Sequence, residues 1–209
     1  MKFRAYLLIV MLGMAFLLTG CFVPENFKAN VAVNNDGSYT FTYDGILAFA
    51  PALEAAKKGS LSQKDEAGLK QEAEKIRKQP DIKKVEYLGK GRYKVFAEKS
   101  GKYGEKYSFI KIFSVTPQED GTIKITVAKL NKRDLNMLKV IGANVNGTLT
   151  VSVEKGVKVI KDNAQSKPKM FGLFGDYEWE IDSLENSPFI IVQPSSPNNV
   201  NTHGQQKEK

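Results

Sequence analysis

The first 20 residues contain one uninterrupted apolar run, which limits the part of the chain that can fold. Lys2 and Arg4 precede this run, and residues 5–18 carry no charged side chain. A positively charged start followed by a short apolar stretch is the layout of a secretory signal peptide, whereas a membrane-spanning helix needs about 20 apolar residues. The sequence therefore predicts that residues 1–20 are removed and that the folded part follows them.

The apolar run ends at residues 17–21, which read LLTGC. This motif resembles the lipobox of bacterial lipoproteins, in which small residues precede a cysteine that becomes the mature N-terminus. The resemblance implies that the Cys21 thiol accepts a diacylglyceryl group, that a signal peptidase cleaves before it, and that the new amine is often acylated. Cys21 is the only cysteine of the chain, so it has no disulfide partner. The alternative is an ordinary cleaved signal peptide with a coincidental cysteine.

Acylation of Cys21 predicts where the protein resides. Burial of an acyl chain contributes about 0.8 kcal/mol per CH₂, so one chain anchors marginally and two or three anchor stably. The next residue is Phe22 rather than aspartate, which in enteric-type bacteria resembles the outer-membrane destination. We expect a lipid-anchored cell-envelope protein, facing the periplasm from the outer membrane if the host has two membranes.

The composition allows one folded domain and a basic surface. The net charge is +8, and two of the cations lie in the segment that we expect to be removed. Such a moderate positive charge suits anionic headgroups or envelope polymers. No nucleic-acid recognition motif is present, so we do not expect nucleic acid as a partner.

Local patterns predict an α+β domain, namely an antiparallel sheet of successive hairpins with one or two helices packed on one face. Asp36-Gly37 between two alternating segments is a strong hairpin signal, and Ser62 with Asp65 resembles a capping box before an amphipathic helix. We expect an acylated N-terminus and linker over residues 21–27, the domain over 28–192, and a disordered polar tail over 193–209.

The usual catalytic groups are missing from the predicted domain. The only histidine, His203, lies in the polar tail, which excludes Ser-His-Asp and Cys-His mechanisms within the domain. Acylation of Cys21 also removes the thiol that a Cys/His zinc site would need. We therefore predict a protein that is not an enzyme and that has no cofactor and no metal.

One acidic strand keeps a catalytic or cation-binding alternative open. Its carboxylates share one face by alternation: Asp176, Glu178, Glu180 and Asp182. Four acids in a row could gather a cation or act as general acid and base. The other interpretation is that they lie in water and pair with lysines of a neighbouring strand, such as Lys155, Lys158 and Lys161.

A glycine-punctuated loop over residues 167–175 provides candidate ligand or membrane contacts. Its large apolar residues are Met170, Phe171, Leu173 and Phe174. If exposed, they would form an apolar tip above flanking lysines, suited to a bilayer or a partner groove. If folded inward, they would plug the domain. Trp179, on the apolar face of the acidic strand, is the fifth predicted contact.

Three segments resemble the LppM-type envelope lipoproteins: residues 31–38 (VAVNNDGS), 147–153 (GTLTVSV) and 177–179 (YEW). The resemblance implies an α+β domain with an internal apolar cavity of the lipid-binding kind and a role at the envelope. Members of that family commonly continue into a membrane helix near the C-terminus, whereas this sequence ends in polar residues.

Two functions follow as hypotheses. The first is binding of a lipid, a glycolipid or another apolar ligand, with aromatic side chains around a cavity and the 167–175 loop as its lip; these side chains are Tyr39, Phe41, Tyr43, Phe109, Trp179 and Phe189. The second is a structural or assembly accessory that binds an envelope protein through sheet edges and the apolar loop. A cavity of several hundred Å³ lined by aromatics favours the first, and a solid core favours the second.

Overall fold

The computed structural model describes residues 22–169 and 175–195. The expected signal peptide, the Cys21 lipidation site and residues 196–209 of the polar tail therefore lie outside the described residues. The same holds for four of the predicted contacts, Met170, Phe171, Leu173 and Phe174. Within the described ranges, every helix is too short or too polar to cross a bilayer.

Eleven strands and three helices form the described fold. The strands are β1 (Phe22–Val33), β2 (Tyr39–Phe49), β3 (Ile82–Gly89), β4 (Arg92–Gly101), β5 (Tyr107–Phe109), β6 (Phe113–Pro117), β7 (Ile123–Val127), β8 (Gly147–Val153), β9 (Lys158–Asp162), β10 (Tyr177–Ile181) and β11 (Phe189–Gln193). The helices are α1 (Ala50–Lys57), α2 (Gln63–Arg77) and α3 (Lys132–Ile141). The predicted α+β class built from hairpins is confirmed.

The strands divide into two sheets rather than one. The first has the order β10-β8-β1-β2-β4-β3 and the second β5-β6-β7-β11-β9. All pairs are antiparallel except β1 with β8, which run parallel. One face of β1 and β2 in the first sheet is apolar and buried. The second sheet, mainly through β5 and β6, packs against this face.

The local signals of the sequence produce the expected elements. Gly37 has φ +77° in the turn between β1 and β2, a conformation that glycine adopts without strain. The hydroxyl of Ser62 accepts a hydrogen bond from the Asp65 backbone amide, and the Asp65 carboxylate accepts one from the Ser62 amide. This reciprocal pair is the predicted capping box at the start of α2.

Aromatic side chains fill the space between the two sheets. The Phe41 ring lies 5.3 Å from the Tyr107 ring and 5.5 Å from the Phe109 ring, measured between centroids. Tyr43 is fully buried and lies 5.0 Å from Phe109. Tyr39 is buried on the same face of β2, as the alternation predicts. This part of the domain is a solid core.

The first sheet has two ends, defined by the direction of β1. At the entry end, Phe22 pairs with Phe49 of β2; at the far end, Val33 pairs with Tyr39. Residues 22–27 were expected to form a linker, but they are the first half of β1, because Phe22, Val23 and Phe27 pack against or within the core. The first strand of the described fold thus begins at Phe22.

Candidate ligand grooves at the entry end

Two apolar grooves open at the entry end of the first sheet. The first has a volume of about 460 Å³ and lies between the β5–β6 turn and helices α1 and α3. Pro51, Leu138, Ile141 and Leu184 belong to its wall. Volumes of this size fall in the range of about 300–1,000 Å³ that is typical of ligand sites.

The second groove, of about 490 Å³, lies between β5, helix α2 and the start of β3. Leu47 and Ile76 form part of its wall, and Tyr107 and Phe109 add aromatic rings. Of the aromatic residues that we expected around a cavity, Phe109 therefore lines a groove, whereas Phe41 and Tyr43 fill the solid core.

Three residues line both grooves: Phe22, Ile110 and Lys111. The Phe22 ring packs against Phe49 at 5.6 Å and against Tyr93 at 5.9 Å, which fixes its position at the start of β1. Ile110 and the exposed Lys111 approach from the second sheet. The two grooves therefore adjoin at these three residues. We call the β5–β6 turn, with Ile110 and Lys111, the divider between the grooves; Lys111 places a positive charge at its surface.

The β5–β6 turn that forms this divider has an uncommon backbone conformation. Ile110 has φ +46° and Lys111 has φ +60°, in the left-handed region that a β-branched residue rarely adopts. Such a conformation costs about 1–3 kcal/mol per residue and persists only when the surroundings hold it. The Ile112 amide donates to the Phe109 carbonyl, and the Ala128 amide donates to the Ile112 carbonyl at 2.7 Å. These bonds, with the packing of Ile110 against the core, hold the turn.

A buried ion pair fixes the backbone near the first groove. Glu25 is 3% exposed, and its carboxylate accepts two hydrogen bonds from the Arg92 guanidinium, at 2.7 and 3.2 Å. The same carboxylate accepts the Asn144 amide at 2.9 Å, and Arg92 also donates to the Gly142 carbonyl. This network joins β1, β4 and the segment after α3, so it keeps the walls of the entry end in place.

The second groove has one polar group without a partner beside its apolar wall. Tyr107 is 9% exposed, and its hydroxyl has no hydrogen-bond partner among the described residues. Burial, and then the negative charge of Asp81, raises the pKa of Tyr107. The hydroxyl oxygen has almost no accessible surface, and Asp81, which also lines this groove, is the acidic group close enough to act on it.

The acidic strand does not form the pairs that we predicted. β10 pairs with β8, where Glu178 lies opposite Thr150 and Glu180 opposite Thr148. Lys158 and Lys161 lie on β9, at the edge of the second sheet, so the expected pairing with these lysines is wrong. The reason is the division into two sheets, which strand alternation alone does not reveal. Across residues 22–169 and 175–195, no three His, Cys, Asp or Glu side chains gather as a metal site.

Trp179 lies in the core rather than in a groove wall. It is 3% exposed, and its indole N–H donates to the Asn163 side-chain oxygen at 2.9 Å. β10 follows the 167–175 loop and begins at Tyr177. Tyr177 pairs with Val151 of β8, and Val151 pairs with Val31 of β1, so Tyr177 lies level with Val31. Phe22 and Val31 are nine residues apart, roughly 30 Å along a strand. The described end of that loop therefore lies toward the far end, away from both grooves.

Sequence reasoning missed the residues that shape the grooves. Phe22 was assigned to a linker, although an apolar pair, Phe22-Val23, directly after Cys21 was a signal that the fold begins there. Ile110 and Lys111 gave no turn signal, because the turn contains no glycine, asparagine or proline. Comparison with known protein families found no matching family model, and comparison with curated proteins found no similar sequence.

Proposed function

We propose that this chain is a cell-envelope lipoprotein, acylated on Cys21, whose non-catalytic domain binds a lipid, a glycolipid or another apolar ligand at the membrane surface. One observation carries the proposal: Phe22 is bonded to Cys21 and lines both grooves. With no linker between the acylated residue and β1, the grooves would stay within a few residues of the bilayer surface.

The walls of the grooves support an apolar ligand. Apolar atoms provide most of the inner surface of both grooves, as is usual in sites for apolar molecules. Each groove also has two acidic side chains in its wall, Glu54 and Asp134 in the first and Glu72 and Asp81 in the second. Lys111 lies at the point where the grooves adjoin, so an anionic headgroup would be placed there rather than beside the acidic residues of the walls.

A protein partner is the second candidate function, and one observation favours it. Ile160 on β9 is 50% exposed, and β9 is an edge strand of the second sheet. An edge strand presents backbone amides and carbonyls to which a partner strand can add. The solid core between the sheets also agrees with a domain that acts through its surface.

Native mass spectrometry of the full-length protein, extracted mildly from its host membrane, tests the proposal. We expect a bound lipid or other apolar molecule in addition to the acyl groups on Cys21. Ile110→Asn should lose this ligand, because it removes an apolar wall shared by both grooves while asparagine tolerates the left-handed backbone.

Ile160→Asn is the matched control, since it makes the same chemical change on β9 and should retain the ligand. Repeated absence of any ligand from the wild-type protein, or equal retention by both variants, would overturn the groove assignment. Co-purification of a protein that Ile160→Asn releases would support the second candidate instead. An intact mass without acyl groups on Cys21 would overturn the anchoring itself.

A further inference from the structure

Exposed apolar side chains concentrate at the entry end. The large apolar or aromatic residues with high exposure in the described chain are Leu88 (49%), Tyr103 (48%), Met137 (55%), Val140 (67%) and Ile160 (50%). Three of them, Leu88, Met137 and Val140, lie at the entry end. A cluster of exposed apolar side chains at one end of a domain is typical of a surface that binds a membrane or another molecule.

Helix α3 carries two of these side chains and is apolar on two sides. Leu135, Leu138 and Ile141 are half-buried and face the core, and no residue of the helix is fully buried. Val140 stands on the exposed side outside both grooves, and Met137, one turn before it, is exposed at the edge of the first groove. A helix needs only one apolar stripe to pack on a core. Packing within the domain therefore does not account for the apolar side chains on the exposed side of α3.

The position of Leu88 follows from the β3–β4 turn. Arg92, at the start of β4, pairs with Ala48 and therefore lies at the entry end, and Leu88 lies next to Gly89, which pairs with Arg92. The Phe49 amide donates to the Gly91 carbonyl, which ties this turn to the start of α1. The Lys57 ammonium in turn donates to the Val140 carbonyl, which ties α1 to α3. Hydrogen bonds thus link the β3–β4 turn, which carries Leu88, through α1 to α3, which carries Met137 and Val140.

Cations accompany the exposed apolar residues. Lys132, Arg133 and Lys139 lie on α3 and are exposed, and none of them forms an ion pair with a described acidic residue. Lys57 contacts the end of the same helix, and the exposed Lys90 lies two residues after Leu88. Of the nearby acids, Glu25 pairs with Arg92 and Glu54 pairs with Lys58. Asp134, on α3 itself, accepts a hydrogen bond from the Asn131 side chain, so α3 carries three cations and one acid.

We propose that the entry end is a membrane-docking surface, formed by Leu88, Met137 and Val140 with the surrounding cations, and that its partner is a bilayer with anionic headgroups. Val140 and Met137 would insert at the acyl boundary, while Lys132, Arg133 and Lys139 contact lipid phosphates. β1 begins at Phe22 on this same end, and Phe22 is bonded to Cys21, so the surface and the Cys21 anchor would meet one bilayer. The inference rests on the proposed membrane location but not on a ligand in the grooves.

Vesicle binding by the chain from Phe22 to Lys209 tests the docking surface without the acyl anchor or the N-terminal apolar run. We expect this chain to fold, because the described strands and helices are complete within it, and circular dichroism with a cooperative urea transition checks this before vesicle binding is measured. We expect binding to phosphatidylglycerol vesicles that weakens with added salt, and little binding to phosphatidylcholine vesicles. No binding to anionic vesicles, or equal binding to both compositions, would overturn the proposal.

Substitutions locate the surface. Val140→Gln together with Leu88→Gln should weaken binding several-fold, because both remove apolar contact without changing charge; neither residue lines a groove. Lys139→Gln should weaken it about fivefold, as expected for one cation near an anionic surface. Ile160→Gln is the control of similar exposure and should bind like the wild type.

The outcomes separate this inference from the ligand proposal. Ile110→Asn should keep vesicle binding even if it loses a groove ligand, because Ile110 is not part of the docking surface. If Ile160→Gln weakens binding as much as the double variant, the entry end is not the docking surface. If the protein is dimeric in solution and Val140→Gln makes it monomeric, the surface is an interface between two copies and the proposal is wrong. Circular dichroism of each variant excludes loss of folding as the cause.

Discussion

Phe41 and Phe22 lie on neighbouring strands of the same sheet, yet their surroundings differ. Phe41, toward the far end, is 1% exposed and lies among Tyr107, Phe109 and Phe113. Phe22, at the entry end, is only partly buried and borders two grooves. The difference shows that one sheet can combine a closed aromatic core with an open apolar site, provided that its two ends are covered by different elements.

The covers explain the difference. Over most of β2 the second sheet lies directly on the first, so side chains interdigitate and leave little space. At the entry end the covers are helices α1, α2 and α3 and the β5–β6 turn, which meet the sheet at separate places and leave grooves between them. Stability should therefore depend mainly on the first region, and ligand or membrane binding on the second.

The largest expected effect is the loss of Phe41. Phe41→Ala should lower the free energy of unfolding by about 3–5 kcal/mol, because it opens a cavity in a closed aromatic cluster. Phe22→Ala should lower it by only about 1 kcal/mol, because that side chain is partly buried and contributes about half of what full burial would. Urea denaturation of both variants measures the difference, and equal losses would contradict the contrast between the two ends.

A smaller loss is expected for Arg92→Met, by about 3 kcal/mol, because the substitution leaves the buried Glu25 carboxylate without its counter-charge. Lys99→Met at the far end is the matched change. Lys99 pairs with Glu105 on the surface, where such pairs contribute about 0–1 kcal/mol. Thermal denaturation compares the two, and a larger effect of Lys99→Met would show that the ion pair does not hold the entry end.

Relief of strain at the groove divider should give a gain in stability. Lys111→Gly should raise the free energy of unfolding by up to about 1 kcal/mol, because glycine adopts φ +60° without a Cβ clash. The same variant should weaken retention of an anionic ligand, since it removes the cation next to both grooves. Denaturation and native mass spectrometry of one protein preparation provide both readouts. A lower free energy of unfolding would instead show that the contacts of the Lys111 side chain stabilise the fold by more than its left-handed backbone conformation costs.

The smallest effect concerns alkaline pH and should be shared by both ends. Burial raises the pKa of Tyr39, at the far end, and of Tyr87, at the entry end, from 10.0 to about 12. Above pH 10 the unfolded chain releases these protons while the folded chain retains them, so stability falls as the pH rises from 10 to 12. Replacing either residue by phenylalanine should reduce this slope. An unchanged slope in both variants would mean that other groups set the alkaline limit.

The sequence predicts the hairpins because each depends on neighbouring residues. The turn at Asp36-Gly37 and the Ser62–Asp65 cap need only local backbone geometry and a few hydrogen bonds. The division into two sheets depends on which strands pair and which apolar faces pack against each other. Alternation within one strand contains no information about either. For the same reason the neighbours of the acidic strand β10 were assigned wrongly.

The candidate site was less predictable than the fold. Its divider needs a turn in which Ile110 adopts a left-handed conformation, against the preference of its type, and only tertiary contacts can impose that. The grooves also depend on gaps between three helices and a turn from distant parts of the chain. Trp179 was assigned a role from its residue type, whereas its hydrogen bond to Asn163 and its burial make it part of the core.

Photo-crosslinking in the host cell tests the central proposal, that the entry end binds an apolar ligand beside Cys21, the proposed acylation site. A photoreactive amino acid replaces Ile110 in the full-length chain, and a second protein carries it in place of Tyr103, which is exposed away from the grooves. After irradiation, mass spectrometry identifies what each position contacts. We predict lipid adducts at position 110 and none at position 103. Protein adducts alone at position 110, or equal lipid labelling at both positions, would contradict a ligand site at the entry end.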